Sequence, residues 1–95
     1  MKNTSVTLHS VPRLKPHMRL RLDKVRNVWS IQAPEKMFVL DAPSHAIASR
    51  CTGETTVERI VEELHSIFSG ADRDTIAEDV ISQLQDFVDK GVVEI

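Results

Sequence analysis

The apolar pattern of this 95-residue chain changes period at Asp41. Ahead of it hydrophobic side chains alternate: Met18, Leu20 and Leu22 face one way, Arg19, Arg21 and Asp23 the other. That period of two marks a half-buried antiparallel strand. Behind Asp41 they recur every three or four residues, the period of a helix. A chain divided in this way is α+β, with its strands first and its helices after them.

Three short antiparallel strands are expected, over about 18–23, 28–33 and 36–41. Residues 24–28 connect the first two, and Trp29, Ile31 and Ala33 supply the inward face of the second. Ala33-Pro34-Glu35-Lys36 is a tight turn, with proline where its fixed φ fits. The third strand is apolar on both sides: Met37 and Val39 point one way, Phe38 and Leu40 the other. A terminal strand of that kind needs a cover on its second face. The reading favoured from these residues is an added peptide strand.

Three helices are expected, over about 42–52, 56–69 and 73–90. Asp41 can cap the first and Pro43 suits its opening turn, with Gly53 near its end. Thr55 to Glu58 reads as a capping box ahead of the stripe Val57, Ile60, Val61, Leu64, Ile67 and Phe68. The third helix opens at Asp72 or Asp74 and closes at Gly91. Its apolar set is wide, and one margin, Ile81 and Val88, is available to a groove. Helices two and three then form a helix-turn-helix pair with the hairpins as a wing. Residues 1–11 read as a flexible segment ahead of one domain, 12–95.

Bulk composition narrows the function. A chain of this size buries roughly 60–65% of its unfolded surface, enough for one core. The single cysteine cannot form an internal bridge, and no signal peptide or transmembrane run is present, so the expectation is a soluble cytoplasmic protein. Residues 1–50 hold nine basic and three acidic side chains, net +6; residues 51–95 hold three and eleven, net −8. His9, His17, His45 and His65 lack metal-ligand spacing, and Cys51 has no paired base near it in sequence. No cofactor, metal or catalytic constellation is expected, and the chain reads as a non-enzyme.

The order and spacing of several short motifs resemble the PqqD family, small accessory proteins of pyrroloquinoline quinone (PQQ) biosynthesis. They are Pro12-Arg13-Leu14, Arg19-Leu20-Arg21-Leu22-Asp23, Arg26 with Trp29, Ala33-Pro34-Glu35 before Val39-Leu40, Cys51-Thr52-Gly53, Thr56-Val57 with Ile60, Asp79-Val80 and Gly91-Val92. Ser30-Ile31-Gln32 is more polar than the family's usual segment there, and Thr52 replaces a common aspartate. The resemblance implies a winged-helix-like recognition element for ribosomally made precursor peptides. It implies a chaperone that binds the peptide PqqA and presents it to PqqE, a radical S-adenosylmethionine enzyme that cross-links a Glu and a Tyr. It also implies a guest strand beside Lys36, Met37, Phe38, Val39, Leu40 and Asp41, against Ile81, Leu84, Gln85 and Val88 of the third helix. Arg19 and Arg21, on the outer sheet face, are candidates for docking a second partner.

Two other readings compete. A winged-helix nucleic-acid-binding or regulatory domain would place the third helix in the major groove. That helix carries six acidic against two basic residues between Asp72 and Lys90, which phosphate would repel. No nucleic-acid or membrane partner is therefore expected. The other reading covers the third strand from within, by residues 6–14 or by a homodimer through edge pairing or swapping.

Overall fold

Asp41 divides the structure as it divides the pattern. The computed structural model describes residues 5–68 and 70–95, and its elements run β1 (Arg13–Leu14), β2 (Arg19–Asp23), β3 (Val28–Gln32), β4 (Met37–Leu40), α1 (Ala42–Ala48), α2 (Val57–Ile67), α3 (Arg73–Asp89) and β5 (Val93–Glu94). The expected three-stranded sheet followed by three helices is present, in the order β2-β3-β4, antiparallel throughout. A second, two-stranded sheet, outside the three expected strands, joins β1 to β5.

Local chemistry explains the boundaries. The Asp23 carboxylate accepts from the amides of Val25 and Arg26, and Asn27 takes a left-handed φ of 57°, which closes the β2–β3 loop. At the β3–β4 turn the Ala33 amide donates to the Lys36 carbonyl at 2.9 Å. Asp41 caps α1 by accepting from the Ser44 amide at 2.9 Å, with Pro43 in the first turn. That contact holds the Asp41 carboxyl below its ordinary pKa.

Three expectations are corrected. Helix α1 ends at Ala48 rather than near residue 52. Arg50 and Cys51 make tightened bonds to Ile47 and Ala48, and residues 51–53 then leave to meet the chain's own beginning. Leu14 donates to Cys51, Gly53 donates to Pro12, and Arg13 bridges Thr52. Gly53 has a φ of +81°, and a Cβ there would come within 2.9 Å of Arg13 Cδ, so any other residue is strained in the backbone and must displace the Arg13 side chain.

The capping box is the second. Thr56, not Thr55, is the N-cap of α2; its hydroxyl accepts from Arg59, which places an arginine where the reciprocating carboxylate was expected. The two preceding free amides are satisfied from elsewhere: Val57 donates to the Ser10 carbonyl and Glu58 to the Leu8 carbonyl.

That contact gives the third correction. Residues 5–11 of the segment expected to be flexible are laid against the helices, with Val6 buried in the core. Residues 1–4, and Ser69 between α2 and α3, lie outside the described residues.

Helix α3 ends as expected at Gly91, in a Schellman arrangement. Val92 donates to Phe87 and Gly91 to Val88, while Val92 itself is fully buried. One apolar core collects Ile31 and Leu40 from the sheet, Ile47 from α1, Ile60 and Leu64 from α2, and Val80 and Leu84 from α3. Arg50 and Arg59 both bind Glu63, at 2.9 and 3.2 Å, tying the end of α1 to α2 and holding that carboxyl below its ordinary pKa.

Candidate functional site

Strand β4 ends its sheet, and among the described residues no strand pairs with its outer edge. The hairpin register fixes which backbone groups that edge presents. Ala33 and Lys36 close the turn as a hydrogen-bonded pair, so the pairs alternate along the ladder from there. Phe38 with Ile31, and Leu40 with Trp29, direct their N–H and C=O groups to β3. Met37, opposite Gln32, and Val39, opposite Ser30, direct theirs outward. The edge therefore offers two donors and two acceptors, all from Met37 and Val39.

Their side chains are the exposed apolar ones of the strand: Met37 is 56% and Val39 66% accessible. Phe38 is half-buried and Leu40 only 7% accessible, both against the core. Lys36 is exposed in the turn, and Asp41 is exposed but committed to capping α1.

The α3 residues named from sequence divide differently. Leu84 is fully buried at 0% accessibility, so it supports the site from beneath and cannot line it. Ile81 and Val88 are half-buried against the same core as Phe38. Gln85 already has a partner, since its Oε1 accepts from the Val6 amide at 2.9 Å. The sequence reading missed a cleft of about 470 Å³ that joins Asp41, Pro43 and Ser44 to Asp79, Ser82, Gln83 and Asp86 of α3. The Ser44 hydroxyl donates to Gln83 Oε1 across it, at 2.9 Å. Polar residues at helical spacing gave no sign of this in the sequence.

Among the described residues the N-terminal segment does not cover the edge. Residues 5–14 bond to α2, to Gln85, to Thr52 and to β5 instead. Cys51 is unsuited to act as a nucleophile. Burial pushes the Cys51 thiol up to about 12, and its Sγ donates to the Ile47 carbonyl. Among the described residues no group of three or more His, Cys, Asp or Glu could hold a metal ion, and no helix is long and apolar enough to cross a membrane. His45 is stacked on Trp29, with ring centroids 4.1 Å apart.

Residues 29–93 match the family model of coenzyme PQQ synthesis protein D (PqqD). The chain belongs to the PqqD family. It is 38% identical over 90 residues to the PqqA binding protein of Rhodopseudomonas palustris strain BisB5, covering 95% of this chain and 87% of that one. Over 75 residues it is 40% identical to the PqqA binding protein of Gluconobacter oxydans, covering 79% and 77%. The fold is that of solved PqqD structures. Similarity to the PqqD portion of Methylobacterium extorquens PqqCD, described as a stand-alone recognition element for ribosomally synthesized, post-translationally modified peptides, reaches a TM-score of 0.82 at 35% identity over 97% of both chains. PqqD from Xanthomonas campestris gives 0.59 at 29% identity, over 95% and 99%. The PqqD family is one of binding proteins, not of enzymes.

Proposed function

We propose that this chain is a non-catalytic peptide chaperone of PQQ biosynthesis that binds the precursor peptide PqqA by strand addition to β4 and presents it to the radical S-adenosylmethionine enzyme PqqE. The observation that carries this reading is the open edge at Met37 and Val39, with four outward backbone groups beside two exposed apolar side chains. The relatives bearing the name PqqA binding protein support the identity of the guest.

Magnitudes assign roles within such a site. Four backbone bonds contribute about 0.5–1.5 kcal/mol each. That does not reliably offset an association cost of about 4–15 kcal/mol. Burying about 300 Å² of apolar surface adds about 7 kcal/mol. Met37, Val39 and the half-buried margin of Phe38, Ile81 and Val88 thus decide whether the guest binds, and the Met37 and Val39 backbone decides its register. Leu40 and Leu84 hold the floor. Lys36 and Asp41 mark the two ends of the edge, and a guest reaches Gln85 only where Val6 yields it. The buried, protonated Cys51 thiol fits a reducing cytoplasm.

Titration of the isotopically labelled chain with synthetic PqqA tests this reading. Amide shifts should concentrate at 36–41 and on the facing margin of α3, with an affinity near micromolar, about −8 kcal/mol. Shifts confined to α2 or the β2 edge, or no binding at that concentration, would overturn it.

A further inference from the structure

The arginines of this molecule fall into two groups. Arg13 pairs with Glu94 at 2.7 Å, Arg50 and Arg59 with Glu63, and Arg73 with Glu62 at 3.8 Å. Arg19, Arg21 and Arg26 have no carboxylate partner among the described residues, and neither do Lys24 and Lys36. All five lie on the sheet or its turns, and residues 15–36 hold six basic against two acidic side chains.

The ladder orders part of this charge. Register places Arg19 beside Gln32 and Gln32 beside Met37; the next row is Arg21, Ser30 and Val39. Side chains two apart on a strand share a face, so both rows lie on the outer face of the sheet. Each runs from a cation on β2, through a polar residue on β3, to an exposed apolar side chain on β4. Strands sit about 4.8 Å apart, so each row spans about 10 Å.

We infer that this outer face docks an acidic patch on a partner protein, and that the partner is the enzyme acting on the bound peptide. The inference rests on the function proposed above. A protein fits better than a nucleic acid for two reasons. Arginine and methionine sharing one exposed face suit a protein interface, where both are enriched and an apolar centre is ringed by polar groups. Phosphate would reward the cations but not Met37 and Val39, and the acidic α3 of the same small molecule opposes it.

Geometry also links docking to loading. A strand added beside β4 prolongs both rows, and every second side chain of the guest falls on the face that Met37 and Val39 occupy. An enzyme seated on the arginines therefore touches the guest as well, and binds the loaded chain more tightly than the empty one. Strand β4 serves two partners at once, its edge holding the peptide and its face contributing to the dock.

The test is the double variant Arg19→Glu/Arg21→Glu in the full chain, with Arg19→Gln/Arg21→Gln as a milder second should the first fail to fold. Affinity for PqqE is measured with and without PqqA, at low and high salt, and PqqA affinity is measured separately. The expected result is a loss of about tenfold or more in PqqE affinity, a flatter salt dependence, and PqqA affinity within about twofold of the parent. Unchanged PqqE affinity in the folded variant overturns the inference while leaving peptide binding intact. Parallel loss of PqqA affinity also overturns it, by making the face part of the peptide site. So does binding of mixed duplex DNA by the parent that the variant loses. A parent chain that binds no PqqA overturns the proposed function itself.

Discussion

The amide of Val6 donates to Oε1 of Gln85 at 2.9 Å, a contact between residues 79 positions apart. Two further bonds, from Glu58 to the Leu8 carbonyl and from Val57 to the Ser10 carbonyl, fasten the same segment across the start of α2. The Val6 side chain is only 7% accessible. Val6→Asp should therefore lower stability by about 2 kcal/mol, the scale of burying a polar group without a partner. Val11→Asp, at an exposed position in the same segment, should change it by less than about 0.5 kcal/mol. Urea unfolding of the two variants checks this; equal effects would mean that residues 5–10 carry no share of the core.

The open edge can be tested without disturbing its own sheet. The Val39 N–H points away from β3, so Val39→Pro removes a donor that the ladder does not use. PqqA affinity should fall at least about tenfold, since one bond is lost and the ring obstructs the guest. Far-ultraviolet circular dichroism should be retained. Phe38→Pro, which removes an inward donor, should unfold the hairpin instead. Calorimetric titration that finds Val39→Pro as tight as the parent would rule out strand addition at β4. Leu40→Asp is unsuitable as a probe here, because it places a charge in the core.

These two regions show what was legible in the chain. The Ala33-Pro34-Glu35-Lys36 turn sets the hairpin register locally, so the edge followed from adjacent residues. The Val57 and Glu58 amides find their acceptors more than forty positions away, and no local pattern announces such a pairing. Thr55 and Thr56 are equally good caps by composition, and the incoming Leu8 and Ser10 carbonyls accompany the choice of the second. Periodicity placed Leu84 among the apolar residues of α3 but could not separate its buried centre from its margin. Asp41, by contrast, carries its own signal as cap, strand end and change of period.

Cys51 offers a readout of the same core. Its thiol is buried and pushed up to about 12 by loss of solvation, so it is protonated and shielded near neutrality. A maleimide should label the native chain no faster than the molecule opens, and label the urea-unfolded chain readily. Rapid native labelling would show that the loop after α1, held by Leu14 and Pro12, opens on its own.

His45 supplies a pH dependence whose direction is fixed. Burial first, and the nearby positive Arg50 second, hold its pKa below the ordinary value near 6.5. The imidazole stacks on Trp29 at an interplanar angle of 16°. In the unfolded chain the same side chain takes its proton near 6.5, so between the two values the unfolded state binds more protons. Stability from this site is then fully present above about pH 6.5 and is lost as pH falls through the folded value. Asp41 and Glu63, the carboxyls with lowered pKa, titrate further down and leave this window to His45. The urea midpoint should be lower at about pH 5.5 than at about pH 7.5, and the gap should narrow in His45→Phe, which keeps a ring on Trp29 and loses the titration. The opposing effect is cation–π attraction, worth about 0.5–1 kcal/mol at exposed sites, which would favour the charged ring. A midpoint that rises on acidification, together with a His45 pKa above 6.5 by nuclear magnetic resonance, would mean that this attraction outweighs burial and Arg50.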